Sequence, residues 1–371
     1  MSYRIAMVGA CPYPVPQGSQ VLLKATAQAL QRRGHDVRLV VYGYGLGEDD
    51  SGVSIRRAWR VPLAHRTAAG PSPLKPLLDL ALAAELARVI RTEDISIVHA
   101  HNYEGLMVAL AVGKRPIVYH AHNAMADELP HYFHGAAWAQ DVGRRLDRNL
   151  PCRADRVIAP HAALADYLSA SGCARERIDV IAPSVDGERF SPTDVEDTLP
   201  AVLYSGNLDA YQNLGLLSEA MELVRQRLPE ACLLVATADR RKFPGVEKIP
   251  TPDFDSMRQA LARDVVFACP RVSWSGYPMK LLNAMAAGKA SVACRSAAHP
   301  LHDGVTGLVV QDNDAEAFAD ALLRLLKDPA LRQTLGRAAR TTALNAHHPD
   351  TIAACIEETY ARAIATAPAH P

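Results

Sequence analysis

The sequence predicts an α/β protein built from two successive parallel-sheet domains, and three observations support this fold class. A chain of 371 residues is too long for one compact hydrophobic core. Short apolar runs typical of buried strands alternate with amphipathic helix patterns along most of the chain. This alternation stops in a polar stretch that ends near residue 200 and then starts again. We therefore predict domains at 1–185 and 186–349, with the last helix, within 350–371, packing back on the first domain.

The first domain is predicted to begin with a buried strand at 4–9, a loop rich in proline and glycine, and an amphipathic helix at 20–33. The loop lacks the GxGxxG pattern of nicotinamide dinucleotide sites, because Gly9 is followed by Ala10 and Cys11. Further strands are predicted at 35–42, 54–59, 95–100, 116–120, 156–160 and 179–182, and further helices at 76–92, 103–112 and 161–170.

Two of these strands end in the same four residues, His-Ala-His-Asn. They provide His99, His101 and Asn102 in the first case, and His120, His122 and Asn123 in the second. Ligands of open α/β sheets bind at the carboxyl ends of the strands. We therefore expect at least one of the four histidines to face a ligand. The alternative for each single histidine is a structural residue with satisfied hydrogen bonds.

The second domain is predicted to begin with a strand at 201–207 and a helix at 214–228. Its stretch 270–288, PRVSWSGYPMKLLNAMAAG, combines a glycine-bearing loop with a short helix. The free N–H groups of such a helix attract anions, phosphate above all. The same pattern also fits an ordinary corner with a solvated lysine. The remaining strands are expected at 231–237, 265–268 and 290–293, and the remaining helices at 253–262, 314–326, 331–344 and 351–365.

Composition excludes several classes of protein. Lysine plus arginine and aspartate plus glutamate number 40 each, so the overall charge gives no reason to expect a nucleic-acid partner. The seven cysteines are scattered singly, without a CxxC pair or a His/Cys spacing typical of zinc, so we expect free thiols and no metal. The most apolar stretch, 77–87, is too short and too charged to span a bilayer. No signal peptide is apparent, and we expect a cytoplasmic protein.

The segment 127–156 is aromatic and then basic. One interpretation is a surface that contacts an anionic acceptor or the inner face of a membrane peripherally. We favour a solvated helix, because Asp141, Asp147 and Asp155 are interleaved with the basic residues. The aromatic and basic residues are Tyr132, Phe133, Trp138, Arg144, Arg145, Arg148, Arg153 and Arg156.

Motifs spread over nearly the whole chain resemble a known family. In chain order they are PQGSQ, RRGHDV, IVHAHN, PIVYHAHN, APSVDGERFSP, YSGNLDAYQNLGLL, PMKLLNAMAAGKASVA, HDGVTGLVV and LLKDPALRQTLGRAAR. Together they resemble retaining glycosyltransferases of the GT-B fold, in the large family 4 group, with KLLNAMAAG as a variant donor-site motif. The resemblance implies two Rossmann-like domains that face each other across a cleft.

The resemblance also implies roles for individual residues. His122 corresponds to the histidine that contacts the transferred sugar. Gly18 and Gly206 fall in loops that approach the nucleotide diphosphate. The donor's phosphate and nucleoside are expected to be held at Thr306, Gly307 and Leu308.

The sequence departs from the family pattern at the donor site. Ser275 and Asn283 stand where the family has two glutamates eight positions apart. Asn207 and Gln212 stand where it has a basic pair. The diphosphate needs compensating charge at close range, so Lys280 and Arg271 are the candidates to supply it. We therefore predict His122 and Lys280 as catalytic residues, and a donor site that also includes Asn207, Arg271, Ser275, Gly276, Tyr277 and Asn283. On the acceptor side we place His99, His101, Asn102, His120 and Asn123.

The activity implied is transfer of a hexose from a UDP- or GDP-sugar to a glycan, a lipid-linked acceptor or a small molecule. No cofactor is expected, and no metal either, because no Asp-x-Asp lies at a predicted strand end. Two alternatives stay open. The missing glutamates and basic pair also fit a non-catalytic nucleotide-sugar-binding subunit. A GT-B-like nucleotide-sugar epimerase ranks last, because no acid/base pair beyond the histidines can be assigned.

Overall fold

A computed structural model describes residues 2–15, 18–46, 48–49, 51–65, 70, 72–133, 137–190, 200–239 and 246–366. The chain divides into two compact units. The first unit comprises Met1–Ser184 and Pro349–Pro371, and the second comprises Val185–His348.

The first unit contains a seven-stranded sheet whose paired strands are all parallel. Its strands are β1 (Arg4–Gly9), β2 (Asp36–Val41), β3 (Ser54–Arg57), β4 (Ile97–His101), β5 (Ile117–His120), β6 (Arg156–Ala159) and β7 (Ile178–Val180). Its helices before the second unit are α1 (Gly18–Arg32), α2 (Lys75–Thr92), α3 (Asn102–Val112), α4 (Met125–Tyr132), α5 (Ala137–Asn149) and α6 (Ala162–Ala170). The spatial order is β3-β2-β1-β4-β5-β6-β7, so the direction of winding reverses between β1 and β4.

The second unit repeats this plan with six parallel strands in the order β10-β9-β8-β11-β12-β13, and reverses between β8 and β11. The strands are β8 (Ala201–Ser205), β9 (Cys232–Thr237), β10 (Glu247–Pro250), β11 (Val266–Cys269), β12 (Ser291–Cys294) and β13 (Leu308–Val310). The helices are α7 (Leu214–Arg227), α8 (Phe254–Leu261), α9 (Met279–Ala286), α10 (Ala315–Lys327) and α11 (Pro329–Ala346). The predicted α/β class with two Rossmann-like domains is confirmed.

The last helix, α12 (Pro349–Thr366), belongs to the first unit. It packs beside α1, and its side chains Ile352, Ile356 and Tyr360 enter the core that contains Ile5 and Met7 of β1. The first sheet thus receives part of its cover from the end of the chain. Among the described residues, no helix combines the length and the apolar character needed to cross a bilayer.

Asp147 of α5 is fully buried, and the expectation that it is solvated is wrong. Its carboxylate accepts hydrogen bonds from the Tyr103 hydroxyl, the Tyr167 hydroxyl (2.8 Å), and the backbone N–H groups of Met125 (2.9 Å) and Ala126 (3.0 Å). These donors come from α3, α6 and the start of α4. One carboxylate therefore joins four helices and satisfies N–H groups at the first turn of α4.

Two other residues of the predicted basic surface also have structural partners. Asp155 accepts from the backbone N–H of Ile117 at 2.7 Å, and Arg156 is buried and pairs with Asp179 at 2.9 Å. Asp141, in contrast, is exposed as predicted.

We expect Asp147→Asn to lower the free energy of unfolding by about 2–4 kcal/mol. The amide has one oxygen to accept with, and its NH₂ group would face buried donors. Urea unfolding followed by circular dichroism measures the loss. The matched control is Asp141→Asn in the same helix, whose exposed ion pair with Arg144 is worth less than about 1 kcal/mol. Equal stabilities of the two variants would contradict the role assigned to Asp147.

Candidate active site

In the second unit, two basic side chains lie near the point where the winding order of the strands reverses, between β8 and β11. Gly206 directly follows β8, and Arg271 lies two residues beyond β11, the neighbouring strand. Lys280 and Gly276 come from the start of α9 and the loop before it. We call these four residues the cation corner. Ligands of open α/β sheets bind at this kind of reversal, outside the carboxyl ends of the strands.

Lys280 is held by neutral groups. Its Nζ donates to the Tyr204 hydroxyl at 2.8 Å and to Gln212 Oε1 at 2.7 Å, and lies 4.5 Å from the centre of the Tyr204 ring. Gly206 has φ +133°, and a Cβ added there would lie 2.6 Å from Nζ. Glycine at this position therefore allows the ammonium to lie directly against the loop backbone.

Arg271 lies near Lys280 and has its own set of contacts. Its Nη2 donates to Ser273 Oγ at 3.1 Å, and its guanidinium carbon lies 5.3 Å from the centre of the Tyr211 ring. A Cβ on Gly276 would lie 2.4 Å from Nη2. In the part of the chain that the structure describes, no carboxylate lies within ion-pair distance of Lys280 or Arg271. Within the described ranges, the corner thus has two basic groups without a direct counter-ion.

Burial lowers the pKa of Lys280 to about 7. The charge of Asp209 opposes this shift, whereas the charge of Arg271 reinforces it. The ammonium therefore gains or loses its proton near neutral pH. An anion bound at the corner would favour the charged form.

Two residues that replace the expected basic pair position this lysine. Asn207 Oδ1 accepts from Gln212 Nε2 at 2.8 Å, and Gln212 Oε1 accepts from Lys280. Asn207 also donates to Asp209 at 2.6 Å. Gln212 was predicted only as a departure from the family pattern. Its contact with Lys280 joins residues 68 apart in sequence, which no local pattern reveals.

The helix α9 begins at Met279, and Pro278 is the residue that precedes its first turn. Ser275 and Gly276 are buried in the loop, and Tyr277 is partly buried, with its hydroxyl 3.4 Å from His347 Nε2. Asn283 is partly buried one helical turn after Lys280. The donor-binding roles predicted for these residues stay predictions.

The segment predicted to hold the donor's nucleoside has structural contacts of its own. Thr306 is buried, and its hydroxyl accepts from the backbone N–H of His302 at 2.7 Å. Gly307 precedes β13, and Leu308 packs its side chain into the core beside Val310. A donor would therefore meet backbone groups of this segment rather than the Leu308 side chain.

In the first unit, the two His-Ala-His-Asn endings lie side by side. His99 and His101 belong to β4, and His120 is the last residue of β5, paired with His101 in the parallel register. His99 hydrogen-bonds through Nδ1 to the Tyr360 hydroxyl (2.6 Å) and through Nε2 to His120 Nδ1 (3.2 Å). His101 Nδ1 lies 3.0 Å from His122 Nε2. We call His99, His101, His120 and His122 the histidine cluster.

Burial lowers the pKa of all four imidazoles, to about 4 for His120. The rings are therefore neutral at pH 7. His122 is partly exposed, whereas the other three side chains are buried. His122 is thus the member of the cluster best placed to meet a ligand, and its neutral ring can both donate and accept a hydrogen bond.

Sequence inspection missed this convergence. The spacing of histidines within either strand is not that of a zinc motif, but adjacent strands bring one ring nitrogen from each of three histidines within 4.8 Å of one another. The sequence feature that could have indicated the cluster is the His-Ala-His pattern, which occurs at the ends of two strands that were both predicted to be buried.

Carboxylates near the same sheet edge were also missed. Asn123 donates to Glu128, which also accepts from the Tyr132 hydroxyl at 3.0 Å, and Glu104 pairs with Lys75. Burial raises the pKa of Glu128 and of Asp79.

Asn102 is the first residue of α3, and the predicted donor residue Gly18 is the exposed first residue of α1.

Comparison with known proteins identifies the chain at the level of its family. Residues 16–189 match the Glycosyltransferase Family 4 model, and residues 199–328 match the model of Glycosyl transferases group 1. The chain is a family 4-like glycosyltransferase of the GT-B fold. The glycosyltransferase identity predicted from the motifs is therefore confirmed, and the KLLNAMAAG variant stays a prediction.

Named proteins resemble this glycosyltransferase along most of its length. Sulfoquinovosyl transferase SQD2 of Arabidopsis thaliana is 27% identical, over 91% of this chain and 69% of that protein. D-inositol 3-phosphate glycosyltransferase of Pseudarthrobacter chlorophenolicus is 24% identical, over 96% of this chain and 95% of that protein. The crystal structure of Anabaena HepE in complex with UDP and glucose superposes with a TM-score of 0.75 at 16% identity, covering 97% of this chain and 99% of that one.

The low pKa of Lys280 predicts a pH-dependent stability. Between pH 7 and 10 the unfolded glycosyltransferase binds a proton on Lys280 that the folded protein has released. The stability of the wild type relative to Lys280→Met should therefore rise with pH, by at most about 1.4 kcal/mol per pH unit. Urea unfolding at several pH values measures this difference. Lys327→Met, which removes an exposed lysine of α10, should show no such trend. If the difference in free energy of unfolding between the wild type and Lys280→Met did not change with pH, the charge of Lys280 would not be buried.

Proposed function

We propose that this glycosyltransferase moves a hexose from a nucleotide-diphosphate sugar to an acceptor, with retention at the anomeric carbon. The cation corner is the observation that carries the proposal. Lys280 and Arg271 contact two glycine-bearing loops where the strand order of the second sheet reverses, and no carboxylate among the described residues is paired to either. A diphosphate supplies the missing negative charge.

The chemical demand in this proposal is the departure of a nucleoside diphosphate. Negative charge develops on the leaving phosphate as the bond to the sugar breaks. Lys280 and Arg271, with the N–H groups at the start of α9, stabilise that charge in partly buried surroundings, where electrostatic interactions are stronger than in water. The proposal routes no step through a metal or another cofactor.

The donor is proposed to be a UDP- or GDP-sugar. The HepE crystal structure contains UDP and glucose, so a fold of this kind can hold a uridine nucleotide. Ser275 and Asn283 would contact sugar and ribose hydroxyls through neutral hydrogen bonds, where the family resemblance implies carboxylates. Gly18, Gly206, Asn207, Tyr277 and residues 306–308 complete the proposed donor site.

The acceptor is proposed to bind at the carboxyl edge of the first sheet. His122 would contact the transferred sugar; Asn123 follows it in the chain, and Asn102 follows His101 in the same way. The carboxylates Glu104 and Glu128 at this edge favour an acceptor rich in hydroxyl groups, since hydroxyls donate to carboxylates. A glycan, a lipid-linked sugar or a small polyol would satisfy this chemistry. A peripheral membrane contact of the segment 127–156 stays a prediction.

One observation favours a second candidate. Both positions where the resemblance implies glutamates hold uncharged side chains, Ser275 and Asn283. A protein that binds a nucleotide sugar but has lost the transfer reaction would show the same change. This candidate predicts donor binding without turnover.

A panel of nucleotide sugars tests the proposal and separates the alternatives. Ligands that bind only the folded protein raise its melting temperature, so UDP- and GDP-sugars are screened first by thermal shift. The binding donor is then incubated with glycan, lipid-linked and polyol acceptors, and NMR identifies the anomer formed. A product with the donor's anomeric configuration is the expected result. Binding without product indicates the non-catalytic subunit, an acceptor-independent new nucleotide sugar indicates an epimerase, and no binding contradicts the proposal.

We expect Lys280→Ala to lower turnover by roughly 10²-fold or more, as for the loss of a donor that stabilises the transition-state charge. Lys280→Arg restores a cation and should recover part of the rate, and Lys327→Ala, at an exposed position of α10, should leave it unchanged. Turnover numbers at saturating donor measure the effect, and circular dichroism checks the fold. Near-normal turnover of Lys280→Ala would remove Lys280 from the mechanism.

A further inference from the structure

Two ring nitrogens of the histidine cluster are buried and unused. His101 Nε2 and His120 Nε2 are both inaccessible to solvent and have no hydrogen-bond partner among the described residues. Buried polar atoms are nearly always paired, and leaving one unpaired costs about 1–3 kcal/mol. Two such atoms on neighbouring strands, β4 and β5, indicate a shared partner.

We propose that His99, His101 and His120 form a binding site for a divalent transition-metal ion. Each side chain offers one ring nitrogen, and the three nitrogens lie within 4.8 Å of one another. Around a tetrahedral ion with Zn–N distances of about 2.1 Å, ligand nitrogens are about 3.4 Å apart. Small rotations of the rings about their side-chain bonds therefore bring them into ligand distance.

The His101–His122 hydrogen bond suits this role, whereas the His99–His120 hydrogen bond must be given up. A nitrogen that ligates a metal offers its lone pair, so the other ring nitrogen carries the proton. If Nε2 of His101 binds the ion, its Nδ1–H donates to His122 Nε2, 3.0 Å away. His120 already offers a free Nε2, whereas His99 gives up its 3.2 Å contact with His120 to become the third ligand. The Tyr360 hydroxyl, 2.6 Å from His99 Nδ1, orients the His99 ring through the nitrogen that does not bind the ion.

The donor set decides the class of ion. Three neutral imidazoles without a carboxylate suit Zn²⁺, Co²⁺, Ni²⁺ or Cu²⁺ and do not suit Mg²⁺ or Ca²⁺, which prefer oxygen ligands. The ion enters beside His122, the one partly exposed member of the cluster. Three protein ligands also leave a coordination position for water or a substrate oxygen.

The site has a consequence for His122 that rests on the proposed function. A metal on His101 fixes the His101–His122 hydrogen bond in one direction, which places the His122 proton on Nδ1. The ion would thereby hold the ring proposed to contact the transferred sugar in a single tautomer and orientation. The metal site itself depends only on the geometry of the cluster.

Direct binding measurements test the site. The full chain, without a histidine tag and dialysed against a chelator, is titrated with ZnCl₂ by calorimetry and with CoCl₂ by visible spectroscopy. We expect saturable binding of one ion per chain, a tetrahedral or five-coordinate Co²⁺ spectrum, and no binding of MgCl₂. Absence of Zn²⁺ binding by the folded chain overturns the proposal.

Variants assign the ligands. His101→Gln and His120→Gln should each weaken Zn²⁺ binding by about tenfold to a hundredfold or more. The matched control, His65→Gln, changes an exposed histidine and should leave the affinity unaltered. Unchanged affinity in both cluster variants overturns the proposal. If these variants do not fold, zinc-edge X-ray absorption of the wild-type chain decides, because a spectrum without imidazole scattering excludes the site. Since no donor sugar is used, failure here leaves the proposed transferase function untouched.

Discussion

The ammonium of Lys280 is held by a phenol and a carboxamide rather than by a carboxylate, and the proposed donor site depends on this arrangement. Neutral partners fix the position of Nζ without cancelling its charge. An aspartate in place of Gln212 would give a stronger pair but would leave nothing for an anion to bind. The neighbouring Arg271 is arranged in the same way, with serine and tyrosine as its contacts. Two basic groups therefore share one region, and burial, reinforced by the charge of Arg271, lowers the pKa of Lys280.

This region also shows why two tandem sheets position chemistry so effectively. A parallel sheet collects the loops after all its strands along one edge, and the reversal of winding separates adjacent loops to leave room for a ligand. Gly206 and Arg271 are far apart in sequence, yet they follow neighbouring strands. The histidine cluster arises likewise from β4 and β5. Family membership assigns the fold and the general activity, whereas the side chains at these edges decide the ligands.

Much of the fold could be predicted from the sequence, because buried parallel strands are short apolar runs and the helices between them are amphipathic. The strands β10 and β13 were missed for physical reasons. The first is an edge strand with mostly half-exposed residues, and the second is a three-residue strand inside a glycine-rich segment that resembles a turn. Among the site residues, the loop–helix corner with Lys280 was predictable from local motifs. The buried state of Asp147, the Gln212 contact and the meeting of three histidines depend on tertiary packing, which no local pattern encodes.

The return of α12 to the first unit has a consequence for synthesis on the ribosome. Domains generally fold in order as they emerge. Here the second unit is complete at His348, before the chain has made the helix that covers part of the first sheet. Tyr360, the hydrogen-bond partner of His99, is translated only after the second unit is complete. The first unit is therefore begun before the second unit and completed after it, and a chain released at His348 would lack the α12 side chains that pack in the core around β1.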